Sequence, residues 1–173
     1  AKCSARTRWL RVEAPSWIAV ASSSRALDVD SPDWTVLRNT ARRAAEQSYS
    51  PYSGFAVGAA ALLDSGRIVT GANIENASYG LTMCAENAVI VDLQMGGGGQ
   101  IVAISVVGNG APVTPCGRCR QLLWEFAGPT CLVDVEGTPT PLSILLPDAF
   151  PDRSSFGSPD SARRKNRGEG MNG

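Results

Sequence analysis

Read as apolar and polar positions, the chain alternates between helical spacing and short apolar runs from about residue 31 to residue 150. Trp34, Leu37, Ala41 and Ala44 recur at three- and four-residue intervals, which predicts an amphipathic helix. Ser31 followed by Pro32 is a start signal, a capping serine with proline at the first helical position, and the helix is expected to end near Gln47. Phe55 to Leu63 predicts a strand whose core, Ala56 to Leu63, is an unbroken apolar run. Asp64-Ser65-Gly66 predicts a hairpin turn, with a returning strand over Arg67 to Asn73. Gly58 and Gly71 fall inside these strands, where glycine marks a bulge or a close backbone approach. Ile74 to Met83 is polar and irregular. A second helix is expected from about Cys84 to Gln94, with Ala88, Val91 and Met95 along its apolar face. Ile101 to Val107 is nearly all apolar and predicts a central strand. Cys116 to Phe126 suits a third helix, Cys131 to Val135 a short strand, and Leu142 to Leu146 a short helix or turn stopped by Pro147. Alternating strands and helices of this kind predict an α/β layered domain with a mixed sheet of roughly five strands, its first two strands antiparallel and later ones parallel through helical crossovers.

The ends differ from this pattern. Residues 1–29 show no sustained period and are expected to be a weakly ordered extension; residues 151–173 carry few large apolar groups and are expected to be a flexible tail. That leaves residues 30–150 as the one domain, a size that suits a single moderate core. The net charge is zero, but residues 28–150 hold twelve acids against six bases. An acidic centre argues against a polynucleotide substrate, because phosphate binding needs positive charge. The longest apolar run is far too short for a membrane span. Nothing near the start has the order of a signal peptide, and a cytoplasmic protein is expected.

Candidate chemistry is narrowed sharply by what the chain lacks. It has no histidine and five cysteines, Cys3, Cys84, Cys116, Cys119 and Cys131. Histidine-based triads and histidine metal ligands are therefore excluded, and an odd cysteine count is a poor disulfide framework. Cys116-x-x-Cys119 alone reads either as a redox pair or as a metal clip. Cys84-Ala85-Glu86 and Pro115-Cys116-Gly117-Arg118-Cys119 each open a predicted helix after a loop that follows a strand. Ligands of open α/β sheets bind at such strand ends, and helix starts favour thiolates through their free N–H groups and partial positive charge. Three thiolates with one position left for water make a catalytic zinc arrangement, whereas structural zinc is normally closed by four ligands. Cys131 lacks a matching spacing and reads as a small buried apolar group. Glu86 alone would be an ordinary first-turn carboxylate; beside three cysteines it reads as a proton shuttle, the arrangement found in zinc-dependent base deaminases.

From about Asp33 to Phe150 the chain resembles the small, homo-oligomeric cytidine deaminases. The resemblance lies in Tyr52-Ser53-Gly54-Phe55-Ala56-Val57-Gly58-Ala59-Ala60, in Gly71-Ala72-Asn73-Ile74-Glu75-Asn76-Ala77-Ser78-Tyr79-Gly80, in Cys84-Ala85-Glu86, in Pro115-Cys116-Gly117-Arg118-Cys119-Arg120-Gln121, and in Leu145-Leu146-Pro147-Asp148-Ala149-Phe150. It implies the three-layer cytidine deaminase-like fold and hydrolytic deamination of free cytidine or 2′-deoxycytidine. It also implies one Zn2+ per subunit on Cys84, Cys116 and Cys119, and Glu86 as catalytic acid and base. Phe55 would line the nucleoside pocket, Asn73 and Glu75 would hold the ribose 3′-hydroxyl, and backbone at Ala85 and Cys116 would position the pyrimidine and water. Tyr79 and Phe150 resemble residues that subunits of a homotetramer lend to a neighbour's site.

The chain departs from the family at Asn87, where many members carry arginine. Three thiolates and Zn2+ sum to −1, and an uncharged Asn87 leaves that charge to be offset by Arg118, Arg120 or Gln121. Three other readings compete: a deaminase of a cytosine nucleoside antibiotic such as blasticidin S, a zinc-stabilised binding module without catalysis, and a polynucleotide editor. The Phe55 and Asn73-to-Asn76 runs favour ordinary cytidine over the first. The second requires a fourth protein ligand, and the acidic centre disfavours the third.

Overall fold

The computed structural model describes residues 31–150; the expected extension over 1–29 and the tail over 151–173 lie outside the described residues. Helix α1 spans Trp34–Ala45. Its cap is Asp33 rather than Ser31: the carboxylate accepts from the N–H groups of Thr35 and Val36 at 3.0 Å each. One carboxylate thus satisfies two of the four orphan donors of the first turn, and Pro32 falls just outside the helix. Arg42 and Arg43 occupy the last turn, where positive charge suits the helix dipole.

Strands β1 (Val57–Leu63) and β2 (Ile68–Ala72) form the expected hairpin. After a single 3-10 turn at Tyr79–Leu81 comes helix α2, Ala85–Met95. β3 spans Ile101–Gly108, and the two-residue strand β4, Ala111–Pro112, folds back onto it. Helix α3 spans Gly117–Ala127, followed by β5 (Leu132–Val135), β6 (Thr138–Pro141) and the short helix α4 (Leu142–Leu145). The sheet is mixed and six-stranded, in the order β2-β1-β3-β5-β6 with β4 attached to β3. β3 is central, antiparallel to β1 and parallel to β5 through the α3 crossover.

Three layers follow from the period-two alternation of β1 and β3. Ala60, Leu62, Ala103 and Val107 face Leu37 and Ala41 of α1. Ala59, Ala61, Ile104 and Val106 face Val89 and Leu93 of α2 and Leu123 of α3. The helix-two face read from the sequence holds only at Ala88, which is half-buried and packs on β2 beside Gly71; Val91 and Met95 are exposed, while Ala85, Glu86, Val89, Ile90 and Leu93 are buried. The buried stripe contains a carboxylate, and reading only apolar positions misplaced the face. β4 and β6 were also not expected. Pro139 and Pro141 argue against an interior strand, but β6 pairs only with β5 at the sheet edge, where a missing N–H is tolerated. Its hairpin turns at Glu136 and Gly137, both with positive φ, the backbone of a tight two-residue turn.

This topology positions the site. β2 and β3 are both antiparallel to β1 and therefore parallel to each other. Their carboxyl ends emerge on the same side of the sheet, and the segments leaving them enter α2 and α3.

Candidate active site

Cys84 and Cys116 occupy equivalent places, each the extended N-cap residue of its helix. Cys119 lies one turn into α3 and is fully buried. The three sulfurs lie within 4.8 Å of one another. Two thiolates bound at about 2.3 Å to a tetrahedral zinc are about 3.8 Å apart, so the cluster suits a metal of that size with little adjustment. The group contains three ligand atoms among the described residues, which leaves one position of a tetrahedral ion for water or substrate. Cys131 is buried apart from this group, and burial pushes its thiol up to about 12.

The electrostatics of the three thiols also fit a cation. Burial opposes ionisation of Cys116, but the Cys119 backbone N–H and hydrogen bonding to the Cys119 and Cys84 sulfurs bring it below the ordinary thiol value. Cys119 is driven well above it by burial, by the charge of Glu86 and by the neighbouring sulfurs. Three negative sulfurs cannot sit together unaided. A divalent ion at their centre removes the conflict and holds all three deprotonated.

Glu86 follows Cys84 by two residues and is only 4% exposed. Burial raises its carboxyl above the usual range, opposed by its own backbone N–H, by hydrogen bonding with Cys119 and by the charge of Arg118. A buried carboxylate with a raised proton affinity beside a metal-ligand cluster is the environment of a general acid and base. Arg118, in the first turn of α3, reaches the Thr82 carbonyl at 3.2 Å and Cys84 Sγ at 3.7 Å. Arg120 and Gln121 turn elsewhere. Arg120 donates to the carbonyls of Pro115 and Leu145 at 2.8 and 2.9 Å. The Gln121 amide accepts from the Phe150 N–H at 2.9 Å and donates to the Phe150 carbonyl. Asn87 is half-buried on α2, and Ala85 is fully buried.

Asn73 and Glu75 organise the segment that leads into β1. The Asn73 amide oxygen accepts from the Ser48 hydroxyl and from the Val57 N–H at 2.5 and 2.9 Å, and its nitrogen donates to the Phe55 carbonyl at 2.9 Å. Glu75 accepts from the N–H groups of Tyr52 and Ser53 at 2.8 and 3.2 Å and from the Ser53 hydroxyl. The Ser53 hydroxyl and those two N–H groups hold its carboxyl below the usual value. One Asn73 N–H remains for a further partner, and Glu75 retains acceptor capacity. Ser48 and Thr82 were missed by sequence reasoning. Only a tertiary contact distinguishes them from the chain's other small hydroxyl residues. Phe55 is half-exposed at the end of this segment, its ring lying over Gly108. Tyr79 and Phe150 are 82% and 78% exposed, large aromatics with little cover in one chain.

An α/β/α domain that gathers three cysteine sulfurs and a buried glutamate at two helix starts is a zinc-site domain of the base-deaminase class. Residues 34–134 match the family described as the cytidine and deoxycytidylate deaminase zinc-binding region, and the chain belongs to that family. It is 56% identical over 124 residues to a cytidine deaminase of Mycobacterium tuberculosis, covering 71% of this chain and 91% of that one. It is 43% identical over 121 residues to a cytidine deaminase of Halalkalibacterium halodurans, covering 66% and 92%. The crystal structure of cytidine deaminase from Mycobacterium tuberculosis superposes with a TM-score of 0.69 at 53% identity, over 70% of this chain and 99% of that one. That from Mycobacterium leprae gives 0.67 at 44%, over 68% and 100%.

Proposed function

We propose that residues 30–150 form a deaminase domain that converts free cytidine or 2′-deoxycytidine and water to the uracil nucleoside and ammonia. The observation that carries this reading is the buried Glu86 beside three converging cysteine sulfurs with one metal position left open. Cys84, Cys116 and Cys119 would hold one Zn2+; when bound, that ion acidifies water and supplies it as nucleophile. Glu86 takes the proton from water and passes it to N3 of the cytosine. A C4–O bond forms; Glu86 then takes the second proton from the new C4 hydroxyl and delivers it to the exocyclic nitrogen, and the C4–N bond breaks as C4=O forms, releasing ammonia. The remaining Asn73 N–H and the free acceptor capacity of Glu75 suit a sugar hydroxyl; Phe55 supplies an apolar wall, and backbone at Ala85 and Cys116 borders the base. Relatives named cytidine deaminase at 56% and 43% identity support the substrate class. The acidic centre of the chain supports a free nucleoside over a polynucleotide. Among the described residues no helix is long and apolar enough to cross a membrane.

The test is ammonia release from cytidine, deoxycytidine and blasticidin S by the zinc-loaded protein and by Glu86→Gln. Turnover of the two nucleosides is expected, with Glu86→Gln retaining fold and zinc but losing at least about 10²-fold in turnover. A Glu86→Gln protein of near wild-type rate would refute the role given to Glu86, and exclusive turnover of blasticidin S would refute the substrate.

A further inference from the structure

Arg118 sits at the second position of α3, among the free N–H groups of the first turn. A cation is electrostatically unfavourable there. Its own helix therefore does not explain its position. The guanidinium instead reaches across to the segment before α2, donating from Nη2 to Cys84 Sγ and to the Thr82 carbonyl. No other side-chain cation is hydrogen-bonded to a cluster sulfur among the described residues. Arg120 is committed to the Pro115 and Leu145 carbonyls, and the residue after Glu86 is the neutral Asn87. Three thiolates around one divalent ion carry a net charge of −1.

We propose that Arg118 is a positioning residue that brings the zinc–tricysteine unit to charge neutrality, bonding Cys84 from α3 and so joining the two halves of the site. The assignment rests on the zinc reading above. It separates two things one arginine can do here, balance charge or merely latch the Thr82 carbonyl.

The experiment is competition for zinc between a chromophoric chelator and the full zinc-loaded chain, for wild type, Arg118→Lys and Arg118→Gln, at low and high salt. Circular dichroism confirms that each variant is folded. Hydrogen-bonding partners of metal ligands are typically worth 10- to 100-fold in metal affinity. Arg118→Gln, which keeps a donor but no charge, is expected to lose about that factor, and Arg118→Lys to recover part of it. Because the guanidinium is exposed, the gap between wild type and Arg118→Gln should narrow as salt rises. Equal affinity of Arg118→Gln and wild type, Arg118→Lys no better than Arg118→Gln, or a gap indifferent to salt would each overturn the charge role. A wild-type protein that binds no zinc would instead overturn the metal reading itself.

Discussion

Two carboxylates are buried among the described residues, Glu86 and Asp134, and their surroundings differ. Asp134 on β5 accepts from Arg38 Nε and Nη2 at 2.7 and 2.9 Å and from the Ser105 hydroxyl at 2.8 Å. Burial alone would raise its proton affinity, but the Arg38 and Ser105 hydrogen bonds and the Arg38 charge more than offset that, and its carboxyl lies below the ordinary value. Glu86 has no bonded cation, and its carboxyl is raised. One is a satisfied structural anion that joins α1 to the sheet; the other is held ready to exchange a proton. Asp134→Asn should therefore cost about 2–4 kcal/mol at neutral pH, because it leaves the Arg38 charge unpaired. A lowered folded-state pKa contributes stability above the unfolded carboxylate value near 4, and that stability is lost as pH falls through the folded value. The gap between wild type and Asp134→Asn in urea unfolding should accordingly close as the pH drops below about 4. A gap that stays constant into acid would show that the ion pair is not its source. Neither role is legible from residue type, since both residues are ordinary acids until burial and partners are known.

At the scale of elements, two glycines set how closely the helices approach the sheet. A Cβ at Gly58 would lie 2.1 Å from the Ala41 carbonyl oxygen of α1, and one at Gly71 would lie 2.3 Å from the Ala85 oxygen and 2.6 Å from the Val89 nitrogen of α2. Such contacts force the backbones apart and typically cost about 1–3 kcal/mol. Their consequences should differ, because Ala85 adjoins Cys84 and Glu86 whereas α1 lies on the opposite face of the sheet. Gly71→Ala is expected to lower both the unfolding temperature and zinc affinity; Gly58→Ala should lower the first and spare the second. Equal zinc affinities in the two variants would show that the position of α2 does not govern the site. In the sequence each glycine was readable as a bulge or a close approach; which of the two holds, and against which partner, was not. The same limit hid the edge strand β6, whose prolines are compatible with a strand only because β5 is its sole neighbour.

At the scale of the whole molecule, the aromatic rings of Tyr79 and Phe150 stand exposed, while the Gln121 amide pairs with the Phe150 backbone and fixes the segment that carries it. Exposed aromatics at these positions are what the family resemblance implies for a homotetramer with shared sites, and complementation tests that expectation. Co-expressed Glu86→Gln and Phe150→Ala chains should then regain activity that neither has alone, because mixed assemblies contain sites with both an intact acid and an intact ring. A mixture no more active than its two parents would count against shared sites. The order of the main helices and strands, apart from β4 and β6, the layered α/β class with its mixed sheet, and the candidate set Cys84, Cys116, Cys119 and Glu86 were legible in the sequence itself. Those features are local: apolar spacing, glycine at turns, and cysteines and a glutamate placed at the first turns of helices. Tertiary structure alone decided that Cys84 meets Cys116, which side of α2 is buried, and that Arg118 rather than Arg120 or Gln121 reaches the sulfurs. Each of these depends on contacts between residues about thirty or more positions apart or between separate elements, set by β2 and β3 ending on one side of the sheet, and no local pattern encodes such a distance.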